Sequence, residues 1–353
     1  MIQQVSQPDA RMRFAVRRLL KDPGAAPRAC GEHDPCWLDV LRDGLRHKTT
    51  ALIARQHGHV TGYLPLSLLR SPLFGRHLVS LPYVNRAGVV ACDDATAEEL
   101  IHAAKKLADR KNARYLELRH HGQPVAHASL DHTRDAKVRM VMPLPRDSQA
   151  LWDGLKAKVR NQVRKGERHD LSIRFGGSEL LAGFYSVFAT TMRDLGTPVY
   201  PKRLFASILH HLGDRAELAL VTREGSPIAG ALLIHDNTAG LRETQVPSAC
   251  CLHTMHTTCA NMWMYRQLID RAIARGATAF DFGRSSVDSG TYRFKRQWGA
   301  QPHATPWQVY LREGALDALR PDDPTNRRKI EAWKKLPVWT TRLIGPAIVR
   351  GIP

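Results

Sequence analysis

The stretch Ala51-Leu52-Ile53-Ala54-Arg55-Gln56-His57-Gly58-His59-Val60-Thr61-Gly62-Tyr63-Leu64 decides the fold, because its pattern returns about 165 residues later as Leu218-Ala219-Leu220-Val221, Glu224-Gly225-Ser226 and Ile228-Ala229-Gly230-Ala231-Leu232. Each copy is two apolar runs around a Gly-containing turn, a β-hairpin signal. The likeness continues downstream. A helical pattern from Glu98 to Arg110, with Thr96 and Glu99 as a capping box, leads through Asn112-Ala113 into the strand Arg114-Tyr115-Leu116-Glu117-Leu118. A second, from Met262 to Arg275, has Asn261 as its cap and Gly276 at its end; it leads into Thr278-Ala279-Phe280-Asp281-Phe282. Glu117 and Asp281 hold matching positions. One hairpin–helix–strand unit occurring twice predicts an α/β (α+β) chain of two tandem domains. Each has a mixed central sheet flanked by helices, since a repeat of this length means duplicated domains rather than a solenoid. The units fall at 1–145 and 146–315, followed by a basic C-terminal tail at 316–353.

The 353 residues suffice for two domains. Against 33 acidic residues stand 52 Lys and Arg, a net charge of +19. Such an excess calls for an anionic partner (a phosphate-bearing substrate, RNA or an anionic lipid surface) unless it reflects a general preference for Arg in the source proteome. No apolar run approaches the roughly 20 residues that span a bilayer. Met1 to Leu20 is interrupted by Gln, Asp and Arg, unlike a secretory leader. A cytoplasmic protein is therefore expected. The six cysteines form no CxxC pair, which suits reduced thiols. Cys251-x-His253-x-x-His256-x-x-Cys259 has zinc-compatible ligand types, but no second ligand pair lies nearby and no metal is expected.

Between the copies, Trp152, Leu155, Val159 and Val163 recur at helical spacing, with Lys156, Arg160, Arg164 and Arg168 as a basic stripe beside them. The stripe is either a solvated face or a place where an anion relieves like-charge repulsion. In the tail, 321–324 reads as a linker turn. Beyond it, Arg327 to Trp339 and Leu343 to Arg350 mix basic residues, Trp and aliphatics. This suits either a membrane interface or a helix docked on the protein's own surface.

The segment Asp281-Phe282-Gly283-Arg284-Ser285-Ser286-Val287-Asp288-Ser289-Gly290-Thr291-Tyr292-Arg293-Phe294-Lys295-Arg296-Gln297-Trp298-Gly299 carries the chemistry. Alternation turns Phe280 and Phe282 to one face and Asp281 to the other. There its carboxylate serves as a general base toward an amine or holds Arg284 or Lys295 in place. Tyr292 and Lys295, three apart, share a helical face. A phenol can protonate a leaving thiolate or alkoxide, and an ammonium can hold phosphate or an oxyanion. Trp298 is expected to pack the loop.

These residues resemble the C-terminal signature of FemAB-type acyltransferases, in particular the group associated with PEP-CTERM/exosortase systems. In that group a strand ending Asp-Phe-Gly-Arg-Ser leads into Gly-x-Tyr-x-Phe-Lys and Trp-Gly. The stretches Lys158 to Lys165, Phe184 to Arg203 and Ser80-Leu81-Pro82-Tyr83-Val84-Asn85 are similar to the same group; Val246-Pro247-Ser248 departs from it by lacking a Trp. The resemblance implies two GNAT-like units and a bacterial transferase moving an acyl or aminoacyl group to an amine of a cell-envelope or exopolysaccharide precursor. The donor would be acyl-CoA or aminoacyl-tRNA, although no Gly-rich pyrophosphate loop is legible. It also implies Asp281, Tyr292 and Lys295 as catalytic residues, and Arg284, Ser285, Gly290, Arg193, Thr197, Arg160 and Tyr83 as substrate-binding ones. The substrate would be an anionic small molecule or lipid-linked sugar. Contact with tRNA, or of the tail with the inner face of an anionic membrane, would suit the charge. The alternative is a non-catalytic protein that holds an anionic glycan or RNA in the same cleft.

Overall fold

The computed structural model describes residues 1–72, 74–123, 125–130, 132–314 and 327–352; the expected linker at 321–324 lies outside them. Its strands are β1 (Ile2–Val5), β2 (Lys48–Gln56), β3 (His59–Ser71), β4 (Gly75–Val79), β5 (Val90–Ala91), β6 (Tyr115–Arg119), β7 (His132–Arg134), β8 (Lys137–Pro143), β9 (Leu171–Gly176), β10 (Ala216–Arg223), β11 (Ser226–Asp236), β12 (Glu243–Cys251), β13 (Ala279–Ser286), β14 (Gln301–Ala304) and β15 (Trp307–Leu311). The helices are α1 (Ala10–Leu20), α2 (Cys36–Leu45), α3 (Asp94–Arg110), α4 (Ser148–Gly154), α5 (Ala157–Glu167), α6 (Leu181–Asp194), α7 (Lys202–Leu212), α8 (Ala260–Ala274), α9 (Gly290–Gln297), α10 (Arg327–Lys334) and α11 (Val338–Val349).

Both predicted hairpins form. The ladder of β2 and β3 closes at Gln56 and His59, and that of β10 and β11 at Arg223 and Ser226. The two-residue loops His57-Gly58 and Glu224-Gly225 all have positive φ, from 48° to 81°. That is a type I′ turn, whose twist matches the flanking strands. The first sheet then runs β1-β2-β3-β4-β6-β15-β7, with β5 on β3; the second runs β9-β10-β11-β12-β13-β8-β14. Position by position the two orders agree. The β4–β6 and β12–β13 pairs are the parallel ones, ending in register at Val79 with Glu117 and at Gln245 with Asp281.

The correspondence exposes a reciprocal exchange. Strand β8, within 1–145, inserts between β13 and β14 of the second sheet. Strand β15, within 146–315, inserts between β6 and β7 of the first. Each sheet is thus completed by the other half of the chain. Between the sheets lie α1, α2, α6 and α7, packed on Ile53 and Tyr63 from one side and Leu218 and Leu232 from the other. Helix α3 covers the outer face of the first sheet. Helices α4, α5 and α8 cover that of the second, over Val221, Phe280 and Phe282.

Three local expectations are corrected. Helix α3 begins four residues early, because Asp93 accepts from the Thr96 N–H and outcompetes the Thr96–Glu99 box. Helix α8 includes Asn261; Cys259, in the left-handed region, precedes it, and the Thr258 hydroxyl accepts from the Ala260 N–H. The stretch from Ser148 breaks at Leu155 and Lys156, so only α5 carries the basic stripe.

Because the exchanged strands belong to both sheets, the halves cannot unfold separately. Calorimetry and circular dichroism are expected to show one coincident transition. The 146–315 segment expressed alone lacks β8, so unpaired edges on β13 and β14 should drive it to aggregate. Two resolved transitions, or a monodisperse folded fragment, would contradict the exchange.

Candidate functional site at the seam of the two sheets

Beyond Gln245 and Asp281 strands β12 and β13 no longer pair. In the same place the β13 register against β8 shifts between Asp281 and Arg284. Gly283, at φ 76°, supplies the backbone conformation this bulge needs. Two side chains clamp it. Asp281 Oδ1 accepts from the Gly283 N–H at 2.7 Å. Lys295 Nζ, from α9, donates to the carbonyls of Gly283 and Arg284 at 3.1 and 3.0 Å. Burial disfavours the ammonium and brings the Lys295 pKa down to about 8, against the pull of Asp281.

The bulge aims Arg284 at the seam. Its guanidinium carbon lies 3.6 Å from the centroid of the Trp307 ring, and that of Arg119 lies 3.8 Å from the same ring. Two planar cations cannot share one face at these distances, so the indole is held between them. Arg119 is neutralised by Glu117 Oε1 at 3.0 and 2.9 Å and donates to the Val84 carbonyl at 2.8 Å. Glu117 also pairs with Arg134 at 2.9 Å. Among the described residues the Arg284 guanidinium makes no hydrogen bond or ion pair, Glu117 and Glu32 acting on it only from a distance, and its Nε is buried and unpartnered. Burial, and then Arg119, lower its pKa to about 10. A planar cation held flat and left without a counterion suits bidentate capture of a carboxylate or phosphate.

Beneath the stack runs a buried ionic chain. Arg86, fully buried in the loop after β4, reaches Glu32 at 3.2 Å and Glu243 at 2.7 Å. Arg139 on β8 joins Glu243 at 2.6 Å to Asp281 at 3.2 Å. The two arginines hold Glu243 ionised, with its pKa near 2. Asp281, 2% exposed, is shifted upward, chiefly by burial and further by Glu243. The chain thus sets two arginines among three acids, each arginine between two carboxylates, the arrangement that limits the cost of burying charge. At the same seam His121 remains neutral, its pKa pushed to about 4 by burial and by Arg86 and Arg139.

Of the residues expected at the site, the structure brings together Asp281, Arg284, Ser285 and Lys295. Asp281 is enclosed and holds Arg139 and the bulge rather than Arg284 or Lys295. The Ser285 hydroxyl is buried without a partner. Tyr292 is half-buried against the outer core, and Gly290 follows the Ser289 cap of α9. Trp298 packs in the core as expected. The others are engaged elsewhere. Arg160 caps the end of α4 through the Leu155 and Asp153 carbonyls. Arg193 donates to the Leu336 carbonyl at 3.1 Å, and the turn before Thr197 packs on Ile330. Tyr83 donates to the Val349 and Ile352 carbonyls, tying the 80–86 loop to the C-terminal helix. Arg86, Arg119, Arg139, Glu243 and Trp307 were not singled out from the sequence. The one signal was the matching of Glu117 with Asp281, since both proved to anchor arginines. Among the described residues no group of His, Cys, Asp and Glu could hold a metal, the Cys251–Cys259 stretch included.

Residues 154–296, a stretch that includes the bulge and all but the last residue of α9, match the family model for an acetyltransferase (GNAT) domain. Across the whole chain the architecture is that of tandem GNAT-like units. The fold is shared with FemX at 14% identity and a TM-score of 0.62, over 88% of this chain and 97% of that one. It is shared with L-PGS from Bacillus licheniformis at 14% and 0.57, over 97% and 98%. A tandem GNAT protein from the clavulanic acid biosynthesis pathway aligns at 12% and 0.57, over 89% and 100%. No curated protein sequence matches the chain.

Glu243 is the central link of the ionic chain. Glu243→Gln strands the charges of Arg86 and Arg139 and is expected to cost about 3–5 kcal/mol of stability, measured by chemical denaturation. A loss below about 1 kcal/mol would mean that the chain holds nothing together.

Proposed function

We propose that the protein is an acyltransferase of the FemAB-like GNAT type, working at the seam between its units. It moves an acyl or aminoacyl group to an amine of an anionic acceptor, such as a sugar-containing envelope or exopolysaccharide precursor. The observation that carries this reading is Arg284: a stacked guanidinium without a counterion, on the bulged strand of a GNAT domain. The fold shared with FemX and L-PGS supports it. The exosortase-associated context rests on the signature alone.

In this reading Arg284 holds a carboxylate or phosphate of a substrate. The amine attacks the donor carbonyl, and a tetrahedral oxyanion forms. The amine proton passes to Asp281, whose raised pKa improves it as a base, or to a group on the substrate. Protonation of the departing thiolate or alkoxide is assigned to Tyr292, which α9 carries one turn before Lys295. Lys295 is a positioning residue: its bonds to the Gly283 and Arg284 carbonyls keep the guanidinium aimed. The divergence of β12 from β13 leaves strand edges that an extended, amide-bearing donor such as acyl-CoA could join. Aminoacyl-tRNA is the other donor the basic surface suits. Lys156, Lys158, Arg164, Lys165 and Arg168 carry no ion pair among the described residues, which favours RNA over a neutral ligand.

Purified protein, incubated with mixed acyl-CoA and aminoacyl-tRNA pools and amine-bearing sugar phosphates, is expected to give a new amide detectable by mass spectrometry. Binding of the pools without product would instead make it a binding protein. Arg284→Ala should lower kcat/KM by about 10- to 100-fold, mostly through KM, as loss of a charge-assisted bond does. Tyr292→Phe should lower kcat with little change in KM; unchanged kinetics in both variants would remove the site.

The low Lys295 pKa gives a pH test. Between about pH 8 and its ordinary value near 10.5 the unfolded chain binds more protons than the folded one, so stability rises with pH there. Activity should nevertheless fall above about pH 8, as the clamp loses its charge. Lys295→Arg, which keeps the charge, should move that limb upward. A limb that stays at pH 8 in this variant would assign it to another group.

A further inference from the structure

The far side of α11 is unlike the rest of the surface. Thr341, Gly345 and Val349 face inward, with Gly345 seated directly on Val199. Outward point Trp339 at 68% exposure, Leu343 at 71% and Ile344 at 38%, three of the few large apolar side chains left in water. Trp339, Leu343 and Ala347 recur every four residues and so form one ridge. Arg342 and Arg350 flank it, and Lys335 precedes it, all exposed. Leu195, 64% exposed, adjoins Gly196, which packs on Ile330 of α10. An apolar ridge with Trp and a cationic fringe, on a helix too short to cross a bilayer, has the makeup of an interfacial helix. The fringe selects a negatively charged surface, as does the chain's net charge of +19.

We propose that α11 seats this protein on an anionic lipid surface, with Trp339 and Leu343 inserted at headgroup level. Tyr83 makes the contact consequential. Its hydroxyl donates to the carbonyls of Val349 and Ile352, and its loop also carries Asn85, whose carbonyl accepts from Trp307 Nε1 at 3.2 Å. The lipid-facing helix is therefore three residues and one indole from Arg284. Seating α11 holds the seam against the membrane, where a lipid-linked acceptor would present its head group. The lipid contact itself does not depend on the transfer reading.

Co-sedimentation of the full chain with phosphatidylcholine vesicles, with and without about one-third phosphatidylglycerol, tests this. Binding is expected only to the anionic vesicles. It should fall by at least tenfold between 0.1 and 0.5 M salt, because surface charge is screened over about 10 Å or less in that range. Trp339→Ser with Leu343→Glu, both on exposed positions, should abolish sedimentation while the melting temperature and transfer to a soluble amine stay unchanged. Arg342→Gln, removing one fringe charge, should weaken binding roughly fivefold. Equal sedimentation of the double variant would overturn the proposal. So would a concentration-dependent dimer in light scattering that the Leu343→Glu change dissolves, because the ridge would then belong to a second copy of the chain.

Discussion

The constraint on which the rest of this structure depends is the exchange of β8 and β15. Each is flanked on both sides by strands of the opposite half, so neither sheet can close without the other. An unfilled slot between β13 and β14, or between β6 and β7, would leave two rows of backbone donors and acceptors without partners. The exchange also fixes the site. β15 brings Trp307 to Arg284 and Arg119, and β8 brings Arg139 to Glu243 and Asp281. Both pieces arrive at the seam because the sheets need them.

Desolvation governs the seam's electrostatics. Where acids and arginines meet in the interior, as along Glu32, Arg86, Glu243 and Arg139, each charge has a partner within 3.2 Å. Such a chain contributes little net stability, but deleting one member is costly, which makes the docking of the halves specific. Arg284 breaks the rule. It is half-buried and makes no ion pair, and stacking on indole recovers only part of the lost hydration. The bulge clamp of Asp281 and Lys295 enforces its position.

Much of this was legible in the chain. The hairpins at His57-Gly58 and Glu224-Gly225, the helix–strand pairs that follow, and the inward Phe280 and Phe282 were readable because periodicity and turn chemistry are local. Helix starts were less so: Asp93 and Thr258 made the caps in place of Thr96 and Asn261, and which polar side chain reaches a given N–H is a matter of a single turn's geometry. At the site, Asp281, Arg284 and Lys295 were recognisable from one contiguous segment. Arg160, Arg193 and Tyr83 look equally available in sequence but are taken up by carbonyls at the end of α4, at Leu336 and at Val349.

The sequence by itself determined the two hairpin–helix–strand units, the match of Glu117 with Asp281 and the Gly-bracketed segment that forms the bulge. Hydrophobic period, β-turn residues and glycine placement act within a few residues of where they are written. Only the tertiary structure decided that the halves trade strands, that Trp307 lies between two arginines and that Arg86 is buried against an acid from the second sheet. Those pairings join positions 157 residues apart for Arg86 with Glu243, and farther apart for Trp307 with Arg119. No local pattern encodes them, because they follow from which strand fills which slot when both sheets close.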